Sequence, residues 1–256
     1  NVNTLDVMMF HSFDSFQSNY DALKTLNELK SDGLINNIGV SVYTNTQLEN
    51  LINEDLITVV QLPFNLLDNF SVRGDLINKL KEKGKIIHTR SAFLQGLFFK
   101  QANDNNIIVR KLNNELILLH NIKSKLNCSM EELALSYCIN QELVDNVIIG
   151  VDSMDQLNSN LKAITYKLPL QDQTDIDRIN VITIKPGYVK SKMTTNLNLP
   201  KYLVSTPDLI GEIIFKSFIN NKNVVYAPYF WKIVLFIYKN IPEFIFRIKL
   251  KRYRGM

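Results

Sequence analysis

An α/β fold built on a parallel sheet is the fold class that the sequence predicts, and two observations support it. Short apolar runs alternate with longer segments of helical period along residues 1–179, and strands that alternate with helices of this length form repeated βα units. Of the 256 residues, 46% are hydrophobic and 21% are charged, which is typical of a globular chain and not of a disordered one. The length suits one large domain or two small ones.

Five short apolar runs are predicted to be the strands of this sheet. Each is bounded by segments of different periodicity, so each is expected to form one strand of one βα unit. The runs are LDVMMF (5–10), INNIGVS (35–41), ITVVQLP (57–63), GKIIHTRS (84–91) and NVIIG (146–150).

The segments between these runs are predicted to be helices. Gly33 and Gly84 stand where helices should end, a place that favours glycine. Thr44 and Ser129 fit helix starts, and Glu132 completes a capping box with Ser129. The predicted helical segments are 20–33, 44–53, 73–84, 109–126, 129–141 and 153–164.

Polar residues follow four consecutive strands at the point where each strand ends. They are His11, Ser41, Gln61, and Arg90 with Ser91. Because the carboxyl ends of parallel strands meet at one edge, and a (β/α)8 barrel builds its active site there, these residues are candidates for one site. The alternative is that each is only the first residue of a solvated loop.

Residues 3–178 resemble the second half of an aldo-keto reductase. The order and spacing of five segments carry the resemblance: LDVMMFHSFD, LKSDGLINNIGVSVYT, VVQLPFNLLD, HTRSAFLQGLFF and ELALSYCINQELVDNVIIGVDSMDQLNSNLKA. The resemblance implies a partial (β/α)8 TIM barrel of five βα units over residues 1–179. It also implies an oxidoreductase that reduces the carbonyl of an aldehyde, ketone or sugar with NADP(H), or alternatively with NAD(H).

The resemblance assigns roles to the residues at the strand ends. It makes His11 the catalytic histidine that orients and polarises the substrate carbonyl. Ser41 and Gln61 match residues that hold the nicotinamide carboxamide, and Arg90 takes the place of the residue beside the nicotinamide ring. The other implied cofactor contacts are Ser91 and Phe93 along the pyrophosphate, and Gly150, Ser153, Gln156 and Asn160 at the adenosine end.

The chain departs from this family's pattern at several points. Val42 stands where many members have an asparagine, and Gln156 stands where many have an arginine that grips the 2′-phosphate. Bidentate phosphate recognition is weaker without that arginine, so NADP(H) and NAD(H) both stay open. The family's tyrosine, lysine and aspartate lie on three earlier βα units, and the sequence begins with Asn1, so its start is expected to be missing. Loss of a positioned general acid costs on the order of 10²- to 10⁴-fold, and we expect little catalysis from this chain alone.

Residues 180–256 differ from residues 1–179 in charge and in resemblance. They hold 13 basic and 3 acidic residues, a net charge of +10, whereas residues 1–179 carry −6. VITIKPGYVKSKM and the segment behind it resemble the last third of a short-chain dehydrogenase/reductase, which implies a Rossmann-type fragment. Pro186 and Gly187 then match the loop against the nicotinamide, with Ser191 in place of a threonine. Because proline does not suit a central strand and glycine permits positive φ, KPGY is predicted to be a turn.

The two resemblances leave three functional readings open. One is the reductase above; the second is a short-chain dehydrogenase acting on a nucleotide- or lipid-linked sugar. The third is a non-catalytic fusion or pseudo-enzyme with a peripheral membrane contact through residues 229–256, which hold seven Lys and Arg against one Glu.

Other features narrow the class of protein. Nucleic acid is not an expected partner, because the basic residues fit no recognition fold. No metal site is predicted, since His88 and His120 have no companions at ligand spacing. Two cysteines and no visible signal peptide predict a cytoplasmic protein.

Overall fold

A computed structural model describes residues 3–100, 106–179, 183–190, 200, 203–219 and 224–239. The chain divides into two compact units, Asn1–Asn180 and Val181–Met256. Each unit has its own sheet and helices, and each is described by itself below.

The first unit is organised around a five-stranded parallel sheet whose strands follow one another in sequence order. This confirms the predicted α/β class and the parallel sheet. Pro63 pairs with Arg90, so β3 and β4 end at the same level, and Ser41 pairs with Gln61, so β2 ends two residues before them. The strands are β1 (Leu5–Phe10), β2 (Ile35–Ser41), β3 (Val59–Pro63), β4 (Ile86–Arg90) and β5 (Asn146–Val147).

The last strand of this sheet is shorter than predicted. The run 146–150 was expected to be extended throughout, but β5 contains only two residues. The backbone N–H of Ile148 still donates to the carbonyl of Thr89 at 2.7 Å. The chain then leaves the sheet, so Gly150 lies in a loop.

Helices connect the strands, and the first-unit helix pattern differs from the prediction in three places. The predicted helix 109–126 is divided at Leu112, and two helices, α1 and α9, were missed. Their short, polar sequences lack a long apolar period. The helices are α1 (Phe13–Ser18), α2 (Ala22–Ser31), α3 (Asn45–Leu51), α4 (Phe70–Glu82), α5 (Ile107–Lys111), α6 (Asn113–Leu126), α7 (Met130–Ile139), α8 (Met154–Ala163) and α9 (Leu170–Asp177).

The predicted helix ends are confirmed at four positions. Thr44 and Ser129 cap α3 and α7, and the Glu132 carboxylate accepts from the backbone N–H of Ser129 at 2.7 Å. Gly33 and Gly84 adopt φ of 72° and 71°, the left-handed region that costs glycine little. Local sequence therefore determines where these helices begin and end.

The core lies on both faces of the central strands. Ile38, Val40, Val59, Val60 and Leu62 are all fully buried, and burial of each such side chain stabilises the fold by roughly 1.5–3 kcal/mol. Strand β1 is more exposed, since two of its apolar side chains keep more than two fifths of their surface accessible. The most buried part of the sheet is therefore β2–β4, the strands that carry most of the candidate site.

The second unit contains two pairs of parallel strands and two helices. Strand β6 (Thr183–Pro186) pairs with β9 (Val224–Ala227), and β7 (Tyr188–Val189) pairs with β8 (Val204–Ser205). Helix α10 (Pro207–Ile219) lies between β8 and β9 in sequence, and α11 (Phe230–Lys239) follows β9.

The predicted KPGY turn is wrong in detail. Pro186 ends β6, and after Gly187 the chain continues directly into β7. Gly187 does not have a positive φ; the indole of Trp231 packs against it so closely that a Cβ would collide with the ring. Close approach of an aromatic side chain, and not a left-handed turn, is what requires glycine here.

In the basic residues 180–256, Ser191 and residues 240–256 are among those that lie outside the described residues. In the remainder of the chain, no helix has both the length and the apolar character needed to cross a bilayer.

Candidate active site

A hydrogen bond between two neighbouring strands forms the centre of the site. The Ser41 hydroxyl, buried at the end of β2, donates to Oε1 of Gln61 on β3 at 3.1 Å. The backbone N–H of Val42 donates to the Gln61 carbonyl at 2.8 Å. This pair leaves the amide nitrogen of Gln61 as a donor at the edge of the sheet.

Arg90 lies at the end of the next strand and is held by three contacts. Its guanidinium lies 4.2 Å from the centre of the Tyr43 ring. It also donates to the carbonyl of Val42 and to the Ser91 hydroxyl, each at 3.3 Å. A planar guanidinium that stacks on an aromatic ring is more rigid than an ammonium would be. Tyr43 was not among the predicted site residues.

A buried arginine supports the loop that carries Tyr43. Arg73 on α4 binds Asp68 through two hydrogen bonds of 2.6 and 2.7 Å. It also donates to Oδ1 of Asn45 at 2.7 Å and to the carbonyl of Tyr43 at 2.9 Å. One side chain thus joins the loops after β2 and β3. It also holds the backbone of Tyr43, whose ring lies against Arg90.

His11 follows β1, the strand next to β2. Phe10 pairs with Val40, so His11 and Ser41 leave their strands at the same level. The His11 side chain is exposed, and Ser12 behind it caps α1 by accepting from the Ser15 N–H at 3.1 Å. The four predicted strand-end positions therefore lie along one edge.

A cavity of about 810 Å³ opens beside this edge, between the loop after β4 and the first turn of α8. A volume of this size suits a cofactor. Ser153, also predicted, does not line the cavity but caps α8 by accepting from the Gln156 N–H at 3.2 Å. The predicted residues that do line it are Ser91, Phe93, Gly150, Gln156 and Asn160.

The cavity wall next to β4 is a strained loop. Ser91, Leu94 and Gln95 have φ of 64°, 45° and 54°, and Gly96 has φ of 80°. Each left-handed non-glycine residue costs roughly 1–3 kcal/mol, and such residues cluster at functional sites. The loop continues as a 3-10 turn, Leu94–Phe99, and the rings of Phe93, just before the turn, and Phe99, at its end, lie 5.7 Å apart.

The charge of the cavity was not predicted. Three acidic residues, Glu131, Asp152 and Asp155, line it, and no lysine or arginine is found among the described lining residues. Glu131 lies two positions after the predicted helix cap Ser129, and Asp155 lies two positions after Ser153, which caps α8 in the structure. The position of these acids in the first turn of a helix was the sequence signal that could have indicated an acidic cavity.

The remaining predicted site residues, Pro186 and Gly187, belong to the second unit and are described there. Throughout the described ranges, no three His, Cys, Asp or Glu side chains converge as ligands for a metal ion.

Comparison with known proteins identifies the family. The model of the aldo/keto reductase family matches residues 1–181. Among solved structures, aldo-keto reductase AKR11C1 from Bacillus halodurans in its apo form is 21% identical, with a TM-score of 0.57, over 70% of this chain and 62% of that one. Its holo form gives 20% identity and 0.56, also over 70% and 62%. A Gox0644 mutant in complex with NADPH gives 18% and 0.53, over 70% of this chain and 60% of that one.

Because these sequence identities are low, the structural likenesses establish the fold alone. The chain spans less than two thirds of the length of those proteins. The family model covers well over half of the 256 residues. The chain therefore belongs to the aldo/keto reductase family.

Proposed function

We propose that residues 1–179 form the cofactor-holding part of a partial (β/α)8 barrel that reduces small-molecule carbonyl compounds with NADP(H) or NAD(H). The observation that supports this most is that the strand edge with Arg90 is continuous with the cavity. Arg90 at the strand edge contacts Ser91, and Ser91 lines the cavity of about 810 Å³. An elongated dinucleotide could lie with one end at the edge and the other in the cavity.

Each polar group then has a role that its geometry supports. The Gln61 amide and the Ser41 hydroxyl hold the carboxamide of the nicotinamide, and Arg90 packs beside its ring. Ser91 and Phe93 follow the pyrophosphate, whereas Gly150, Gln156 and Asn160 surround the adenosine and Ser153 acts there only by capping α8. His11 donates a hydrogen bond to the substrate carbonyl and so favours the negative charge that develops on its oxygen.

A bound reduced nicotinamide would supply the hydride. Proton donation to the carbonyl oxygen needs a further acid, since family resemblance places the tyrosine and lysine on βα units that precede the one beginning at β1. We propose that these 256 residues bind the cofactor and turn over little substrate alone.

The first prediction concerns the Ser41–Gln61 pair. The Ser41→Ala variant is expected to weaken NADH or NADPH binding by about 3- to 10-fold, because one hydrogen bond contributes about 0.5–1.5 kcal/mol. Cofactor fluorescence during titration with the full chain measures this. The matched control is Ser31→Ala, because Ser31 lies on α2 and its hydroxyl bonds only the Asn27 carbonyl in its own helix. Absence of binding of both cofactors to the unmodified chain would refute the proposed function.

A second candidate function rests on the second unit. Parallel strands β6 and β9 with helix α10 between them in sequence favour a fragment of a Rossmann-type sheet, residues 180–256, similar to the end of a short-chain dehydrogenase. Pro186 and Gly187 would then face a nicotinamide. A nucleotide- or lipid-linked sugar is the substrate class proposed for that parent.

Helix α11 favours two proposals that involve a membrane. One is that the substrate is a lipid-linked sugar, and the other is that the chain is a non-catalytic, membrane-associated protein. Ile233 and Ile237, one turn apart, are 56% and 58% exposed, which suits a helix that lies on a bilayer surface.

The full chain is therefore expected to sediment with phosphatidylserine vesicles, and to sediment less with neutral phosphatidylcholine vesicles. The Ile233→Asp, Ile237→Asp double variant should stay in solution, whereas Ile164→Asp, at an exposed apolar position of the first unit, should behave like the unmodified chain. Equal sedimentation of all three proteins would exclude a role for α11.

A further inference from the structure

We infer that the cavity selects a dinucleotide whose adenosine ribose carries a free 2′-hydroxyl, NAD(H), over one that carries a 2′-phosphate, NADP(H). This inference rests on the proposed function, because it assigns the adenosine end of the cofactor to the cavity. It goes further by naming the chemical group that the cavity excludes and the side chains that exclude it.

The first support is charge. Glu131, Asp152 and Asp155 line the cavity, and none of its described lining residues is basic. A phosphate monoester carries about −1.5 to −2 charges at pH 7. Carboxylates within a few ångströms of it repel that charge, and no guanidinium or ammonium offsets the repulsion. A hydroxyl avoids this cost.

The second support is that capping within the chain already uses part of each helix N-terminus at the cavity. In α7 the Ser129 hydroxyl accepts from the Glu132 N–H at 3.1 Å, while the Glu132 carboxylate accepts from Ser129. In α8 the Gln156 N–H donates to the Ser153 hydroxyl, and the Gln156 side-chain oxygen accepts from the Asp152 N–H at 2.8 Å. At these two N-termini the N–H groups of Glu132 and Gln156 therefore already have partners within the chain and are not free to bind a phosphate.

The third support is that the same groups suit a ribose hydroxyl. Carboxylates accept hydrogen bonds from the ribose 2′-hydroxyl in dinucleotide sites, and Asp152 and Asp155 are close enough in sequence to present such an acceptor. Asn160, only 5% exposed, also lines the cavity, and its side-chain amide makes no hydrogen bond to a described residue. That amide is therefore free to bond a polar ligand in the cavity.

Two fragments without nicotinamide test the inference on the full chain: ADP-ribose and its 2′-phosphorylated form. Calorimetric titration is expected to give at least about tenfold tighter binding of ADP-ribose. The ratio should shrink in high salt, which screens the repulsion. The variants Asp155→Asn and Gln156→Arg should each reduce the ratio, and the double variant should reduce it most.

Asp14→Asn is the matched control, because Asp14 is an exposed acid in the first turn of α1, as Asp155 is in α8. It should leave the ratio unchanged. Equal or tighter binding of the 2′-phosphorylated fragment would overturn the inference and leave the proposed function standing. Failure of both fragments and of both full cofactors to bind would instead refute the proposed function.

Discussion

The Arg73→Met variant is expected to lose about 3 kcal/mol of its free energy of unfolding, because breaking one partner of a buried ion pair strands the other charge. Asp68 would keep only a quarter of its side chain in water and lose both hydrogen bonds from Arg73. The carbonyl of Tyr43 and the amide of Asn45 would also lose their donor. Methionine retains most of the apolar volume, so the change isolates the polar contacts. Urea denaturation measures the loss.

Arg178→Met is the matched control. Its guanidinium lies 3.2 Å from Asp175, but the Arg178 side chain is 72% exposed, so the change should fall within about 0.5 kcal/mol. A loss for Arg73→Met as small as that for Arg178→Met would contradict the view that the buried polar contacts of Arg73 stabilise the fold. Because Arg73 also holds the loop of Tyr43, the Arg73 variant should bind cofactor more weakly at temperatures where it is fully folded.

Tyr137→Ala is the second variant with a large expected effect, about 3–5 kcal/mol in the free energy of unfolding. The ring is fully buried and stacks on Phe64 with centroids 5.6 Å apart. Its hydroxyl donates a short hydrogen bond to Asp177 and accepts from the Phe70 N–H at 3.0 Å. The residue thus joins α7, whose first turn lines the cavity, to α4 and α9. Thermal and urea denaturation measure the loss.

Tyr137→Phe separates the hydroxyl from the ring. It should cost about 1–3 kcal/mol, the penalty for leaving buried polar partners unsatisfied. A loss as large as that of Tyr137→Ala would contradict the view that ring packing dominates.

The pH dependence of stability provides a further test of this contact through the Asp177 carboxyl. Burial raises its pKa above 3.8, although the hydrogen bonds from Tyr137 and from the Phe70 N–H oppose this. An acid whose pKa is higher in the folded state stabilises the fold below its unfolded pKa, and this stabilisation is lost as pH rises through the folded pKa. The stability of the chain relative to Asp177→Asn should therefore decrease as pH rises from about 3.8 toward neutrality.

Local sequence determined the parallel α/β fold and the helix ends. The alternation of apolar runs with helical segments predicted all five strands of the first unit, and Thr44, Ser129, Gly33 and Gly84 were recognisable as caps. These features depend on neighbours within about four residues, which is the distance that periodicity and capping report. The strand-end positions of Ser41, Gln61 and Arg90 followed from the same alternation.

Tertiary structure alone decided how those residues are held and what charge surrounds them. Tyr43 lies under Arg90, 47 positions away, and Arg73 reaches the loops of two strands. Glu131 and Asp155 line one cavity because α7 and α8 pack against each other. Gly187 is required by Trp231 and not by its own turn. Such contacts join residues far apart in sequence, so they depend on strand order and side-chain packing, which no local pattern encodes.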